Sequence, residues 1–203
     1  MVYDYPEEFA AANPRHSAVL RLKTGVMRDG RLVAHLIDVA YNTGAYAGCV
    51  PGGFLPIPAS AGPYRVPHAR LTAFHVYTNT VPRGFMRGPG RVQLTCAIES
   101  QIDCVAEAIG MDPLELRRRN LVRDGEETAF GETFAEARSL ETLEAAIEAS
   151  GYHAPKLPGG GRGIAVTKQE AGGGEAHASV TLALDGSVVL STPIFEQGSG
   201  VHT

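Results

Sequence analysis

The chain is poor in cysteine, and its three, Cys49, Cys96 and Cys104, are odd in number and form no CxxC pair. Zinc and iron–sulphur spacings are therefore missing. The thiols fit a reducing, cytoplasmic setting, with Cys96 and Cys104 expected as small buried side chains beside an apolar stripe. An excess of basic charge is also lacking. The net charge of -4 and pI near 6.0 argue against nucleic acid as a partner. No apolar run is long enough to cross a bilayer, which argues against a membrane partner. The opening residues, MVYDYPEEFAAANPRH, lack the charged start and apolar stretch of a secretory signal.

What remains is an ordinary globular composition, with 44% hydrophobic and 20% charged residues. The 203 residues suffice for one core, or for one domain and part of another. With 24 glycines and 13 prolines, many turns are expected, which suits an α+β chain.

Two alternating runs, 17–24 and 31–40, flank Asp29-Gly30 and predict a β-hairpin. Arg21, Lys23, His35 and Asp38 read as its solvated face. The segment 51–67 is a Gly/Pro-rich loop in which Phe54 and Leu55 serve as anchors. A strand follows over 71–78, where His75 reads as a sheet histidine, because no second ligand stands at metal spacing.

The centre of the chain is 77–120. Glycines at 84, 88 and 90 and prolines at 82 and 89 predict a tightly bent loop whose backbone can approach a ligand closely. From Gly90, Leu94, Ile98, Ile102, Val105 and Ile109 recur at helical spacing, while Arg91, Glu99, Asp103 and Glu107 mark another face. Twenty residues give a helix of roughly 30 Å whose N-terminus, next to the loop, favours an anion. Asp112-Pro113 opens a further helix, and the three arginines at 117–119 suit its C-terminal end and local salt bridges.

Ser139 and Thr142 are candidate caps of another helix, which Gly151 stops. The run 155–161, PKLPGGG, reads as a linker. Strand-like runs begin at Arg162, His177 and Ser187, the last two joined by Asp185-Gly186. The closing EQGSGVHT is a second glycine-rich corner suited to an anion.

The loop MRGPGRVQ, followed at fixed distance by GMDPLELRRRN, resembles the large subunits of the molybdenum hydroxylases: xanthine dehydrogenase, aldehyde oxidase and carbon monoxide dehydrogenase. The upstream NTGAY and the closing GSG-x-x-T extend the likeness to roughly 16–203. The resemblance implies an α+β fold, with antiparallel hairpins and packed helices, that is part of a molybdopterin-binding domain. It places the later part of one subdomain at 1–154 and the start of a second at 162–203. It also implies a molybdenum–molybdopterin cofactor, approached by Phe85, Met86, Arg87 and Gly88 and by Gly198, Ser199, Gly200 and Thr203. Its partners would be iron–sulphur and flavin subunits or domains and a small-molecule substrate.

The activity implied is hydroxylation of an aldehyde or aromatic N-heterocycle by water. Met86 and Pro89 stand where xanthine dehydrogenases carry FRGFG, and Gly88 stands where the carbon monoxide enzymes carry cysteine, so neither xanthine nor carbon monoxide is favoured. The glutamine of the family's GQG segment is Ser199 here. The family's catalytic glutamate lies beyond that segment, and Glu175 occupies the wrong place in the order to replace it. No catalytic or metal-ligating residue is assigned in this chain. By itself it is expected to be inactive, to hold no cofactor and to self-associate through exposed apolar surface. The alternative is a non-catalytic remnant or assembly module that keeps the fold.

Overall fold

The computed structural model of the chain describes residues 2–46, 62–131, 133–168, 175–194 and 200–201. It forms two compact units, 1–168 and 169–203.

In the first unit, β1 (Ala18–Val26) and β2 (Leu32–Gly44) make the hairpin expected around Asp29-Gly30. Gly30 has φ 86°, and the Asp29 carboxylate accepts from the Arg31 amide at 3.0 Å, which closes the turn. β3 (His68–Tyr77) lies beside β2, giving the order β1-β2-β3. β3 runs parallel to β2, a crossover that no turn signal announces, because alternation reports which face is buried and not the direction of pairing. Phe54 and Leu55, assigned above as loop anchors, lie outside the described residues.

Helix α2 (Arg91–Ile109) buries the expected stripe of Leu94, Ile98, Ile102 and Val105 against Ile37, Val39 and Tyr41 of the sheet. Gly110, at φ 67°, stops it. Next, α3 (Pro113–Asn120) is capped by Asp112, whose side chain accepts from the amides of Leu114 and Glu115 at 2.9 and 3.0 Å. Asp112→Ala should lower the denaturation midpoint by an amount equivalent to about 1 kcal/mol, measurable by urea titration. The Asn120 side chain ties α3 to the hairpin. Its Oδ1 accepts from the Leu32 amide at 2.9 Å, and its Nδ2 donates to the carbonyls of Gly30 and Leu116.

Several expectations are corrected. Cys96 and Cys104 are exposed, because they face away from the stripe that meets the sheet. His35 is fully buried rather than solvated, with Nδ1 3.0 Å from Thr24 Oγ1. Arg21 and Lys23 are exposed as expected. Glu99, assigned to the polar face, is buried because Arg117 comes down from α3 to meet it. Arg118 pairs with Glu144 and Arg119 with Glu115, as helix-end salt bridges should. Helix α4 (Ser139–Ala149) has Arg138 at its N-cap and no side-chain cap, while the Thr142 hydroxyl donates back to the Arg138 carbonyl. A short N-terminal helix, α1 (Tyr5–Ala11), carries a reciprocal capping box between Asp4 and Glu7. Its Asp-x-x-Glu spacing is visible in the sequence.

The run from Arg162 forms no strand over 162–168 and stays with the first unit. Arg162 donates to the carbonyl of Pro155, and the Val166 amide donates to Glu99 Oε2 at 2.9 Å. These bonds hold the segment to the first core, and the compact unit extends to Lys168.

In the second unit, β4 (Ser179–Leu182) and β5 (Val188–Ser191) form the hairpin expected around Asp185-Gly186, with Gly186 at φ 83°. Its described residues are exposed, Val180, Leu182 and Leu190 among them.

Candidate functional site: the loop before α2

Residues 83–90 connect the sheet to α2, and three backbone facts shape them. Gly84 packs against the N-terminal segment so closely that a Cβ would fall 2.3 Å from Asn13 Cβ. Arg87, Gly88 and Gly90 all have positive φ, at 22°, 68° and 76°, which turns the chain sharply twice within four residues. Gly90 then caps α2 with no side-chain acceptor, so the positive end of the helix dipole, which favours negative charge, lies at this loop.

The loop is anchored from behind. The Tyr41 hydroxyl, fully buried in β2, donates to the Gly90 carbonyl at 3.0 Å. Burial pushes that phenol up to about 12, so it stays a donor at any physiological pH. Tyr41 is itself gripped between His16, edge-on at 6.5 Å, and His75, stacked at 6.4 Å. His75 is thus a half-buried sheet histidine serving the loop's support. The Gln93 side chain donates to the His16 carbonyl at 2.6 Å. The Gly84 amide donates to the Pro14 carbonyl at 3.2 Å, and the Arg15 guanidinium reaches the Arg87 and Gly88 carbonyls at 3.0 and 3.4 Å.

The outer side is open. Phe85 and Met86 are exposed by 61% and 52%, although both are large and apolar. A Cβ built on Gly88 would meet nothing closer than 3.7 Å. Phe85, Met86, Arg87 and Gly88 therefore form one continuous exposed corner at the N-terminus of α2. Gly200, in the second unit, has φ 80°. Gly198, Ser199 and Thr203 lie outside the described residues.

This corner fits a flat anionic group approached through the backbone. Gly88 leaves it room, the helix terminus favours its charge, and the two apolar side chains offer contact to its faces. Among the described residues no three His, Cys, Asp or Glu side chains are placed to hold a bare metal ion.

Residues 1–121, which include this whole corner, match the family described as molybdopterin cofactor-binding domain. The chain belongs to the molybdenum hydroxylase large subunits. The chain is 36% identical over 158 residues to the nicotinate dehydrogenase large molybdopterin subunit of Eubacterium barkeri, across 75% of its own length and 37% of the relative's. Quinoline 2-oxidoreductase from Pseudomonas putida 86 superposes with a TM-score of 0.68 at 26% identity, covering 75% of this chain and 20% of that one. Aldehyde oxidoreductase from Desulfovibrio desulfuricans ATCC 27774 shares the fold, with a TM-score of 0.73 at 24% identity over 93% of this chain and 22% of that one. The chain thus spans well under half the length of these relatives. Among its described residues, no helix is long and apolar enough to cross a membrane.

The 13–16 segment was not legible as part of this site. Its residues touch the loop across more than seventy positions of chain, beyond the reach of any local pattern.

Proposed function

We propose that this chain supplies part of the cofactor-binding framework of a molybdopterin-dependent oxidoreductase that hydroxylates an aldehyde or an aromatic N-heterocycle, with the oxygen drawn from water. The open corner at 85–88, backed by the Tyr41 anchor and set at the uncapped start of α2, carries the reading. When bound, the molybdenum–pterin group supplies the redox chemistry; the protein supplies position, hydrogen bonds and exclusion of solvent. Phe85 and Met86 would bracket the ligand side of the pocket. The peptide at Arg87-Gly88 would present its N–H, with Gly198, Ser199, Gly200 and Thr203 as further candidate contacts of the group.

The likeness to nicotinate and quinoline enzymes favours a heteroaromatic ring, and the aldehyde oxidoreductase fold keeps an aldehyde in view. Iron–sulphur and flavin partners would take the electrons.

The test is to purify the polypeptide extended in frame to the length of its relatives, together with its electron-transfer partners. It should carry stoichiometric molybdenum and place oxygen from isotopically labelled water into hydroxynicotinate or a carboxylic acid. Labelled oxygen arriving from dioxygen would overturn the reading. The 203-residue chain alone should retain only traces of molybdenum and show no turnover. Stoichiometric metal in it would refute that part, and an extended protein without cofactor would favour the remnant or assembly module.

A further inference from the structure

We propose that Arg15 is the positioning residue of the cofactor-facing loop: its guanidinium sets the orientation of the Arg87–Gly88 peptide and so decides which side of the loop presents a hydrogen-bond donor. The inference rests on the loop's role proposed above and concerns a residue 72 positions away from it.

The argument starts from the peptide plane. No described peptide bond is cis, so the Arg87 carbonyl and the Gly88 N–H point in opposite directions along one rigid unit. Arg15 Nη2 holds that carbonyl at 3.0 Å, which turns the Gly88 N–H away from Arg15. The next peptide, Gly88–Pro89, has no N–H, because proline lacks one. Its carbonyl accepts from the Val92 amide at 3.4 Å and from Arg15 Nη1 at 3.4 Å. One side chain therefore gathers two successive carbonyls onto the inner side. The outer side keeps the donor.

The backbone here needs such a hold. Arg87 sits at φ 22°, short of the left-handed well, in a region that a residue with a Cβ rarely occupies. Gly88 relieves the following position and cannot relieve this one. The planar fork of arginine matches two neighbouring carbonyls, whereas a lysine ammonium is a point charge that serves them less well. Arg15 itself is kept in place because its neighbours are zipped to the same loop. The Pro14 carbonyl accepts from the Gly84 amide at 3.2 Å, and the His16 carbonyl accepts from Gln93 at 2.6 Å. The strap 13–16 thus runs beside the loop and delivers the guanidinium at its sharpest bend.

The experiment needs no cofactor. Amide NMR relaxation on the 203-residue chain should give Arg87, Gly88 and Gly90 order parameters near those of folded backbone, about 0.85. In Arg15→Met these three should fall below about 0.6, Arg15→Lys should lie between, and Leu94 and Ile98 should stay unchanged. Loop amides that stay ordered in Arg15→Met would overturn the proposal. Should that variant not fold, the unmutated protein still decides. A guanidinium held on two carbonyls shows separate, slowly rotating Nη protons for Arg15, and one averaged signal counts against it.

In the extended subunit, Arg15→Met should lower retained molybdopterin by roughly ten-fold, the scale of losing an outer-shell support, with the melting temperature little changed. Retention equal to that of the unmutated subunit would contradict the role. A loop that responds in the short chain while the extended subunit never carries molybdopterin would leave Arg15's role standing and remove the functional reading instead.

Discussion

Glu99→Ala should cost the first unit about 3–5 kcal/mol, the largest single effect expected among these substitutions. The Arg117 guanidinium is fully buried, and Glu99 is its close-range partner, with Oε2 at 2.9 Å from Nη2 and 3.0 Å from Nε. Removing that carboxylate leaves a buried cation with only the half-exposed Asp103 as its counterion, and a charge poorly compensated in a low-dielectric interior is far more costly than in water. Two more groups lose their acceptor at once: the Tyr64 hydroxyl, which donates to Oε1 at 2.6 Å, and the Val166 amide. The Tyr64 phenol is driven up by burial and by the adjacent Glu99 charge, so it is a donor throughout the working range.

Asp103 supplies the contrast. It also meets Arg117, at 2.7 Å, yet its side chain is 52% exposed. Solvent screens that pair, so Asp103→Ala should cost about 1 kcal/mol or less. Urea unfolding of both variants separates the cases. Equal losses would mean that burial does not set the strength of this network, and a Glu99→Ala loss below about 1 kcal/mol would show the ion pair to be dispensable.

Acid should destabilise the same unit through His35, by about 3 kcal/mol between pH 7 and pH 4. Burial holds its imidazole down at about 4, against an ordinary value of 6.5. The neutral ring is the form the fold accepts. Above the ordinary value both states are neutral and the stability is complete. As pH falls between 6.5 and about 4, the unfolded chain takes up a proton that the folded one refuses, so stability drops; below about 4 both are protonated and this contribution stops changing. Nδ1 is 3.0 Å from Thr24 Oγ1, while Nε2 has no partner among the described residues, so the buried site offers little to hold an added charge. His35→Gln should flatten the stability profile over that window. A profile equally steep in both proteins would place the acid sensitivity elsewhere.

How much of this was legible in the sequence follows from the reach of each interaction. Both Asp-Gly turns, the Asp112-Pro113 start and the Leu94–Ile98–Ile102–Val105 stripe were legible, since each depends on residues within a few positions of one another. The same spacing rules sent Glu99 and His35 to the solvent. A polar side chain between apolar ones is ordinarily turned outwards, and only Arg117, eighteen residues from Glu99, and the covering of the sheet reverse that. Cys96 and Cys104 failed the other way, as small side chains next to the stripe that never meet the core. In the candidate site, the bend at 84–90 was written in its glycines and prolines. The supports behind it, Arg15, His16 and Tyr41, were not.

By itself, the sequence determined the turns, the helix termini, the apolar stripes and the family likeness of the 85–90 corner, because these are short-range properties of neighbouring residues. Tertiary structure alone decided that β3 would pair parallel with β2, that a glutamate and an arginine would share the core, and that Arg15 would grip the loop from behind. Those outcomes depend on surfaces that meet only once the chain has closed, when burial turns a carboxylate or a guanidinium from a solvated charge into one that must find its partner.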